Sequence, residues 1–499
     1  MTLTSLPNWV WVSYSAVVLS VHRSALSLLV AVAILSCLSF LAYRLFLSPL
    51  SKVPGPWYTN ISHLFMVYHD FNGTKRLWIH NLHLRYGCVV RLAPNEVSFA
   101  SAAALKEIYT SAGGYAKTEL YSLFKQNDHR NLFTALDKKE HNEKKKRLAD
   151  RYTNTAVLHP SIQEPLRERG EAFAKVCGES ESTDIYLYLH CYALDCVSAM
   201  IFHPYGTKSV EGGSDHDMVR NLSYHDSRSA LVLRHHYPWL EAAYKSLTPK
   251  RPSKGGKFLF HYAWSSMRAS PHSDFTLATR LLQHPEMGME DMVAECLDHI
   301  GAGIDTTGDA LCFLMWELSQ SHNAERMQRL IEELQTCDPE HGGRLNQQPY
   351  LNAVIEETMR LWAPGTLPLP RYVPQGGRVI DGYYIPAHTI VSAQSYTVHR
   401  LDQSVFPEPD KFLPERWLEE KGSVDRQRLM FAFGSGARSC IGKFLALSEM
   451  RILLHSVYSR YRTRPAADMH ASMEMSDQLL TSRPKDLLCK LTFDRLIRK

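Results

Sequence analysis

Phe433-Gly-Ser-Gly436-Ala-Arg438-Ser-Cys440-Ile-Gly442 is the stretch from which the rest of the chain can be read. It places one cysteine in a glycine-rich loop, at the start of a helical pattern from Ile441 to Val457. A thiolate there is stabilised by the helix N-terminus and by backbone N–H groups that have no helical partner. Gly436 and Gly442 let the backbone approach a flat, bulky group. Phe433 can shield the sulfur, and Arg438 can pair with a carboxylate. These features suit a thiolate that ligates haem iron. Taken alone, the loop has a second reading, an inert buried cysteine beside a glycine turn.

Working outward, the chain has 499 residues, of which 45% are hydrophobic and 21% charged. A chain this apolar buries a large core, so disorder is excluded as its main state. Its 56 basic and 51 acidic side chains leave +5, too little for a nucleic-acid binder. The ten cysteines include no CxxC pair, which excludes zinc ribbons and thioredoxin-type chemistry and suggests reduced thiols. A long apolar helical pattern runs from Glu290 to Leu318, and β-type runs occupy Val89–Ala100 and Arg378–Ala393. The expected fold class is mainly α with small β-sheets.

The cysteine loop resembles the cytochrome P450 family, fitting its F-x-x-G-x-R-x-C-x-G pattern at every fixed position. Other motifs follow in that family's order. Ala302-Gly303-Ile304-Asp305-Thr306-Thr307 lies inside the long apolar helix, with glycines at 301, 303 and 308. Each glycine costs a helix about 1 kcal/mol against alanine, so close approach by haem and dioxygen is expected there. Asp305 and Thr306 resemble the acid–alcohol pair that relays protons during oxygen activation. The plainer reading of Thr306 is a bond back to the carbonyl four residues earlier. Glu357-Thr-Met-Arg360 is an ion pair on one helix face. Phe412-Leu-Pro414-Glu-Arg416-Trp417 distinguishes it from the similar Glu164-Pro-Leu-Arg167, and the resemblance implies that Arg416 folds back on Glu357 and Arg360. It also implies that Arg438, Arg371 and His399, with His141 and Lys145, contact the haem carboxylates. The family resemblance covers roughly residues 50–495.

At the front, Ser24–Tyr43 is twenty residues without a charge, the length of a bilayer-spanning helix. A cleaved signal peptide would have a shorter core and a small-x-small site, whereas Arg44, Leu45 and Phe46 follow here. The expected organisation is an N-terminal segment (1–23), a transmembrane anchor (24–47), a Pro-rich hinge (48–56) and a haem-thiolate catalytic domain (57–499). Arg23 before the segment and Arg44 and Lys52 after it lean toward a cytosolic body.

The resemblance implies a microsomal haem-thiolate monooxygenase with heme b, on the endoplasmic reticulum membrane. NADPH electrons would arrive through a cytochrome P450 reductase, with cytochrome b5 as a further donor. The chain is most similar to fungal members that tailor terpenoids or polyketides, implying a lipophilic small-molecule substrate. Tyr121, Phe124, Leu367, Leu369 and Leu480 are the expected apolar wall. Lys138-Lys139 and Lys144-Lys145-Lys146-Arg147 form the densest basic cluster and the expected reductase surface. Two alternatives stand beside this reading: an O2-independent haem-thiolate rearrangement enzyme, and a non-catalytic haem-binding sensor.

Overall fold

The computed structural model describes residues 8–224, 228–247, 254–337 and 344–497. Residues 1–7 of the expected N-terminal segment lie outside them. The N-terminal helix α1 spans Asn8–Ala42 and widens into a π-type turn over Tyr43–Leu47. Helix formation therefore begins well before the uncharged stretch. Within it, Val18–Leu47 is membrane-length and buries nothing against the body. That is the pattern of a surface made for lipid. The segment after it packs against the body. Leu50 and Val53 are buried in the core beneath the main sheet, and the Pro54 carbonyl accepts from Arg91 N at 2.7 Å.

The body is built from α2 (Leu64–Phe71), α3 (Lys75–Tyr86), α4 (Lys138–Leu148), α5 (Pro160–Glu179) and α6 (Ile185–Phe202). Then come α7 (Ser214–Ser223), α8 (Arg228–His236), α9 (Pro238–Leu247), α10 (Lys254–Arg268) and α11 (Met289–Leu318). Helices α12 (Pro349–Leu361) and α13 (Lys443–Tyr458) complete the set that concerns the site. Helix α6 is apolar enough to span a membrane but is buried inside the protein. With α5, α11, α12 and α13 it forms the main core.

The main sheet has five strands: β1 (Val89–Ala93), β2 (Glu96–Phe99), β3 (Ala116–Lys117), β5 (Arg371–Tyr372) and β8 (Ile390–Ser392). Their order is β1-β2-β8-β5-β3. The β-type run over Val89–Ala100 folds into a hairpin, with Val89 opposite Phe99 and Ala93 opposite Glu96. Strands β6 (Arg378–Ile380) and β7 (Tyr383–Ile385) pair around Asp381-Gly382, both at positive φ. Among the described residues, β4 (Thr183–Asp184), β12 (Lys490–Arg495) and β9 (Tyr461–Pro465) make a third sheet. A last hairpin joins β10 (Met475–Asp477) and β11 (Ser482–Pro484).

Glu357 and Arg360 on α12 are fully buried and joined by two parallel bonds of 2.9 and 2.8 Å. Arg416 Nε and Trp417 Nε1 donate to the same carboxylate at 3.2 and 2.9 Å. Arg360 also donates to the carbonyls of His399, Pro409 and Lys411. One ion pair thus pins the irregular chain ahead of the cysteine loop. Removing one member would leave a buried charge, at a cost of about 3–5 kcal/mol.

Candidate active site

Cys440 lies three residues before α13. Its N–H donates to the Phe433 carbonyl at 2.8 Å, which folds the loop around the sulfur. Burial pushes the thiol up, while the Gly442 and Lys443 N–H groups and the Lys443 charge favour the thiolate. Cys440 is nonetheless exposed, so the sulfur keeps an open face. The glycines serve ends other than those expected. Gly436 sits at φ +71°, and a Cβ there would lie 2.1 Å from the Tyr109 carbonyl oxygen. It accommodates neighbouring backbone rather than a flat ligand. A Cβ on Gly442 would stand 3.9 Å from Cys440 Sγ, beside the sulfur itself. Phe433 is half-buried, its ring 5.7 Å from Lys443 Nζ.

Helix α11 packs against α13, where the Thr307 and Glu449 side chains bond, and has an open stripe in its middle. Gly301, Ala302 and Asp305 are exposed between stretches that are almost wholly buried. Only Gly301 of the three glycines opens onto free space, with no atom within 4 Å of a would-be Cβ. Gly303 instead meets Val197 of α6 at 3.0 Å, and Gly308 meets the His190 ring at 2.9 Å. Two of the three glycines thus let α6 pack closely against α11. Thr306 Oγ1 donates to Ala302 O at 2.6 Å, the plainer arrangement the sequence allowed. Its oxygen remains an acceptor. Asp305 Oδ1 accepts from Ser223 Oγ at 2.7 Å, at the last residue of α7.

To one side lies a group of cations. Lys117 and Arg371 are register partners on β3 and β5. Arg371 is buried with Nη1 unpartnered, its guanidinium 5.5 Å from the rings of Tyr109 and Tyr121. Burial, then Arg371 and Arg438, push Lys117 well below the usual lysine range, though its ammonium reaches the Phe133 carbonyl. Arg438 donates to the Ala135 and Leu136 carbonyls at 2.7 and 2.9 Å, and burial, then Arg371, bring it to about 10. Burial and Arg438 push buried His141 to about 4, and its Nδ1 has no partner. The Tyr121 hydroxyl is also buried and unpartnered. The acid that most favours charge on Lys117 is Asp298, itself pushed to about 8 by burial.

Two expected contacts belong elsewhere. His399 is fully buried: Nδ1 donates to the Arg360 carbonyl and Nε2 accepts from Phe431 N, each at 2.8 Å. Burial pushes it to about 3, so both nitrogens are occupied and no N–H is left for a carboxylate. It ties α12 to the cysteine loop. Lys145 donates to the Ala437 carbonyl at 2.7 Å, so its ammonium braces the loop backbone.

The family profile described as Cytochrome P450 matches residues 53–490. The chain belongs to the cytochrome P450 family. It is similar to a cytochrome P450 monooxygenase of Aspergillus niger (orf2), 30% identical over 88% of this chain and 91% of that one. A cytochrome P450 monooxygenase of Aspergillus oryzae (cpaH) is 29% identical over 87% of each chain. One of Emericella nidulans (stcB) is 28% identical over 90% of this chain and 89% of its own. The chain is a P450 monooxygenase, and the family implies haem-thiolate iron.

The residues present fit that group. Buried cations with a free guanidinium nitrogen, an orphaned imidazole nitrogen and an orphaned hydroxyl call for anions. The two carboxylates of a haem would supply them. Lys117, on the two-residue strand β3, was not visible in the sequence as part of this cluster; only its register partner Arg371 points to it. The apolar wall is shared out differently from expectation. Tyr121 and Leu480 pack with Leu120, Leu479 and Val232, and Phe124 and Leu231 lie against them. Leu367 is bonded to the Leu480 carbonyl at 3.3 Å, but Leu369 packs under the main sheet. Val232 and Leu231, from α8, close a wall that sequence order alone did not reveal.

Proposed function

We propose that this P450 inserts one oxygen atom from O2 into an apolar small molecule, a terpenoid or polyketide intermediate of secondary metabolism. The observation that carries this reading is the pairing of an open-faced Cys440 with the open stripe of α11 that holds Asp305 and Thr306. Haem held through Cys440 supplies the oxygen-activating chemistry. Lys117, Arg371, Arg438 and His141 would hold its carboxylates. Ser223 Oγ orients the Asp305 carboxylate by donating a hydrogen bond to its Oδ1. Thr306 Oγ1 would receive a proton-bearing group beside Asp305 once bonded to Ala302 O. The Tyr121, Phe124, Val232 and Leu480 surface excludes water and favours a lipophilic substrate.

NADPH–cytochrome P450 reductase is the proposed electron donor, with cytochrome b5 as a second. Lys139 and Lys146 suit that role. Both are exposed on α4, while Lys138, Lys144, Lys145 and Arg147 are tied to Ala112, Arg130, Ala437 and Glu286. Helix α1 fits a single-pass anchor in the endoplasmic reticulum membrane with the body in the cytosol. Oxygen dependence of turnover separates this function from an O2-independent rearrangement. The deciding experiment compares metabolites made with and without the gene, under air and with isotopically labelled O2. Product lacking oxygen from O2 would overturn the proposal.

A further inference from the structure

One turn beyond Asp305 on α11 lies a second acid, Asp309, facing His190 of α6. Asp309 Oδ1 and His190 Nε2 are 3.4 Å apart, and their side chains are 5% and 0% exposed. Neither atom has another partner. Gly308 makes the approach possible, since any Cβ there would lie 2.9 Å from the imidazole ring. His190 Nδ1 donates to the Tyr186 carbonyl at 2.6 Å, which fixes the tautomer and turns Nε2 toward the acid. A bare nitrogen lone pair facing a bare carboxylate oxygen in a dry interior would be repulsive. The contact holds together only if the pair keeps one proton between them.

The groups around the pair form one buried set. From α11 comes Asp305, from β11 Arg483, and from α6 the unpartnered Tyr186 hydroxyl; Asp184 and Cys312 act on Tyr186 and its neighbours more weakly. Arg483 Nη1 donates to the Ser223 carbonyl at 2.9 Å, and Ser223 Oγ donates to Asp305. Residues four apart on a helix stand about 5–6 Å apart at Cβ, so a proton can pass between the two carboxyls directly or through one water.

We propose that Asp309 and His190 are a proton-holding pair that recharges Asp305, a role that rests on the reading of Asp305 and Thr306 above. The proton leaves the pair for an Asp305 carboxylate oxygen. Asp309 is left as carboxylate and His190 as neutral imidazole, the repulsive arrangement named above, so the emptied pair takes a proton back, supplied from solvent. Burial pushes the Asp309 carboxyl up to about 6, and the bond to Asp309 raises His190 against its own burial. Both directions keep the shared proton in place near neutral pH. Asp309 and His190 act through Asp305 and are positioning residues.

Two measurements on the full-length haem protein test the pair without a known substrate. The first is an infrared pH titration. In the wild-type minus Asp309→Asn difference spectrum, a protonated-carboxyl band that titrates near neutral pH should appear, because Asp298 and Glu449 titrate in both proteins and cancel. No such band in the difference overturns the proposal. The second is the split of NADPH oxidation between hydrogen peroxide and water, with reductase present and no added substrate. Asp309→Asn and His190→Gln should raise the peroxide share at least about two-fold and alter its pH dependence, and Asp309→Glu should restore it. Thr306→Ala serves as the control for the underlying reading. If it leaves the split unchanged, that reading fails; if it raises peroxide while both pair variants match wild type across the pH range, the pair alone fails. Should a single variant not bind haem, the double variant His190→Leu/Asp309→Leu decides, because apolar replacement of a buried ion pair is often tolerated. A folded double variant with the wild-type split overturns the proposal, and one with raised peroxide supports it.

Discussion

The hydroxyl of Thr306 already donates to the Ala302 carbonyl, so its contribution is an acceptor oxygen held at a fixed place on the open stripe. Thr306→Ala removes that oxygen and leaves the helix its backbone bonds. The variant should keep haem but release more hydrogen peroxide per NADPH, measured by stopped assays of both. An unchanged ratio would reduce the threonine to helix packing. Cys440 carries a sharper expectation. Its thiolate is aided by two N–H groups and Lys443, and nothing else in the loop can replace it. Cys440→Ala should abolish the red-shifted Soret band that thiolate ligation gives the reduced, carbon monoxide-bound protein. A variant that kept this band would remove Cys440 from the iron.

Among elements, α4 separates its basic residues by direction. Lys138, Lys144 and Lys145 turn inward to carbonyls, while Lys139 and Lys146 face solvent. Exposed charges steer encounter more than they add affinity, and salt screens them within about 10 Å at 0.1 M. The double variant Lys139→Glu/Lys146→Glu should therefore be reduced several-fold more slowly by reductase at low salt. The gap should close as salt rises, with the haem spectrum intact; equal rates at every salt concentration would place docking elsewhere. Helix α13 holds a different kind of charge. Burial pushes Glu449 up to about 8, its bond with the Thr307 side chain offsetting only part of that. The folded state then binds more protons than the unfolded one between about pH 4.5 and 8, so Glu449 lowers stability as pH rises through that window. Glu449→Gln should melt a few degrees higher than wild type at pH 8 and show no gain near pH 5. This scale follows from roughly 2–4 °C per kcal/mol in larger domains. Parallel melting curves at both pH values would mean that Glu449 is ionised in the fold.

For the whole molecule, Val18–Leu47 is the one stretch among the described residues that is membrane-length and buries nothing. Deleting residues 1–47 leaves Leu50 and Val53 in their core and every haem-facing residue in place. The shortened protein should bind haem and shift toward the soluble fraction. Part of it should stay membrane-bound, because α2 exposes Leu64, Phe65, Tyr68 and Phe71, and Trp239 of α9 is also exposed. Fractionation and the carbon monoxide spectrum check this together. A full-length protein found soluble would refute the anchor.

Local chemistry was enough to make the cysteine loop, the Glu357–Arg360 pair, the long helix and the N-terminal apolar helix legible. Each depends on residue type and spacing along a single segment, and a thiol before a helix N-terminus or twenty uncharged residues mean much the same in any fold. Other roles arise only between segments. His399 looked like a haem contact until α12 and the cysteine loop took both its nitrogens. Gly303 and Gly308 looked like space for a cofactor until α6 was laid against them. Lys117 joined the cationic cluster through a strand register with Arg371, about half the chain away in sequence. The pairing of Asp309 with His190 likewise depends on two helices crossing at one glycine. Sequence determined which groups this P450 carries and which stretches must be helix, loop or anchor. Tertiary structure decided which of those groups face one another, because burial, partner and tautomer are set by the neighbouring element and not by the chain on either side.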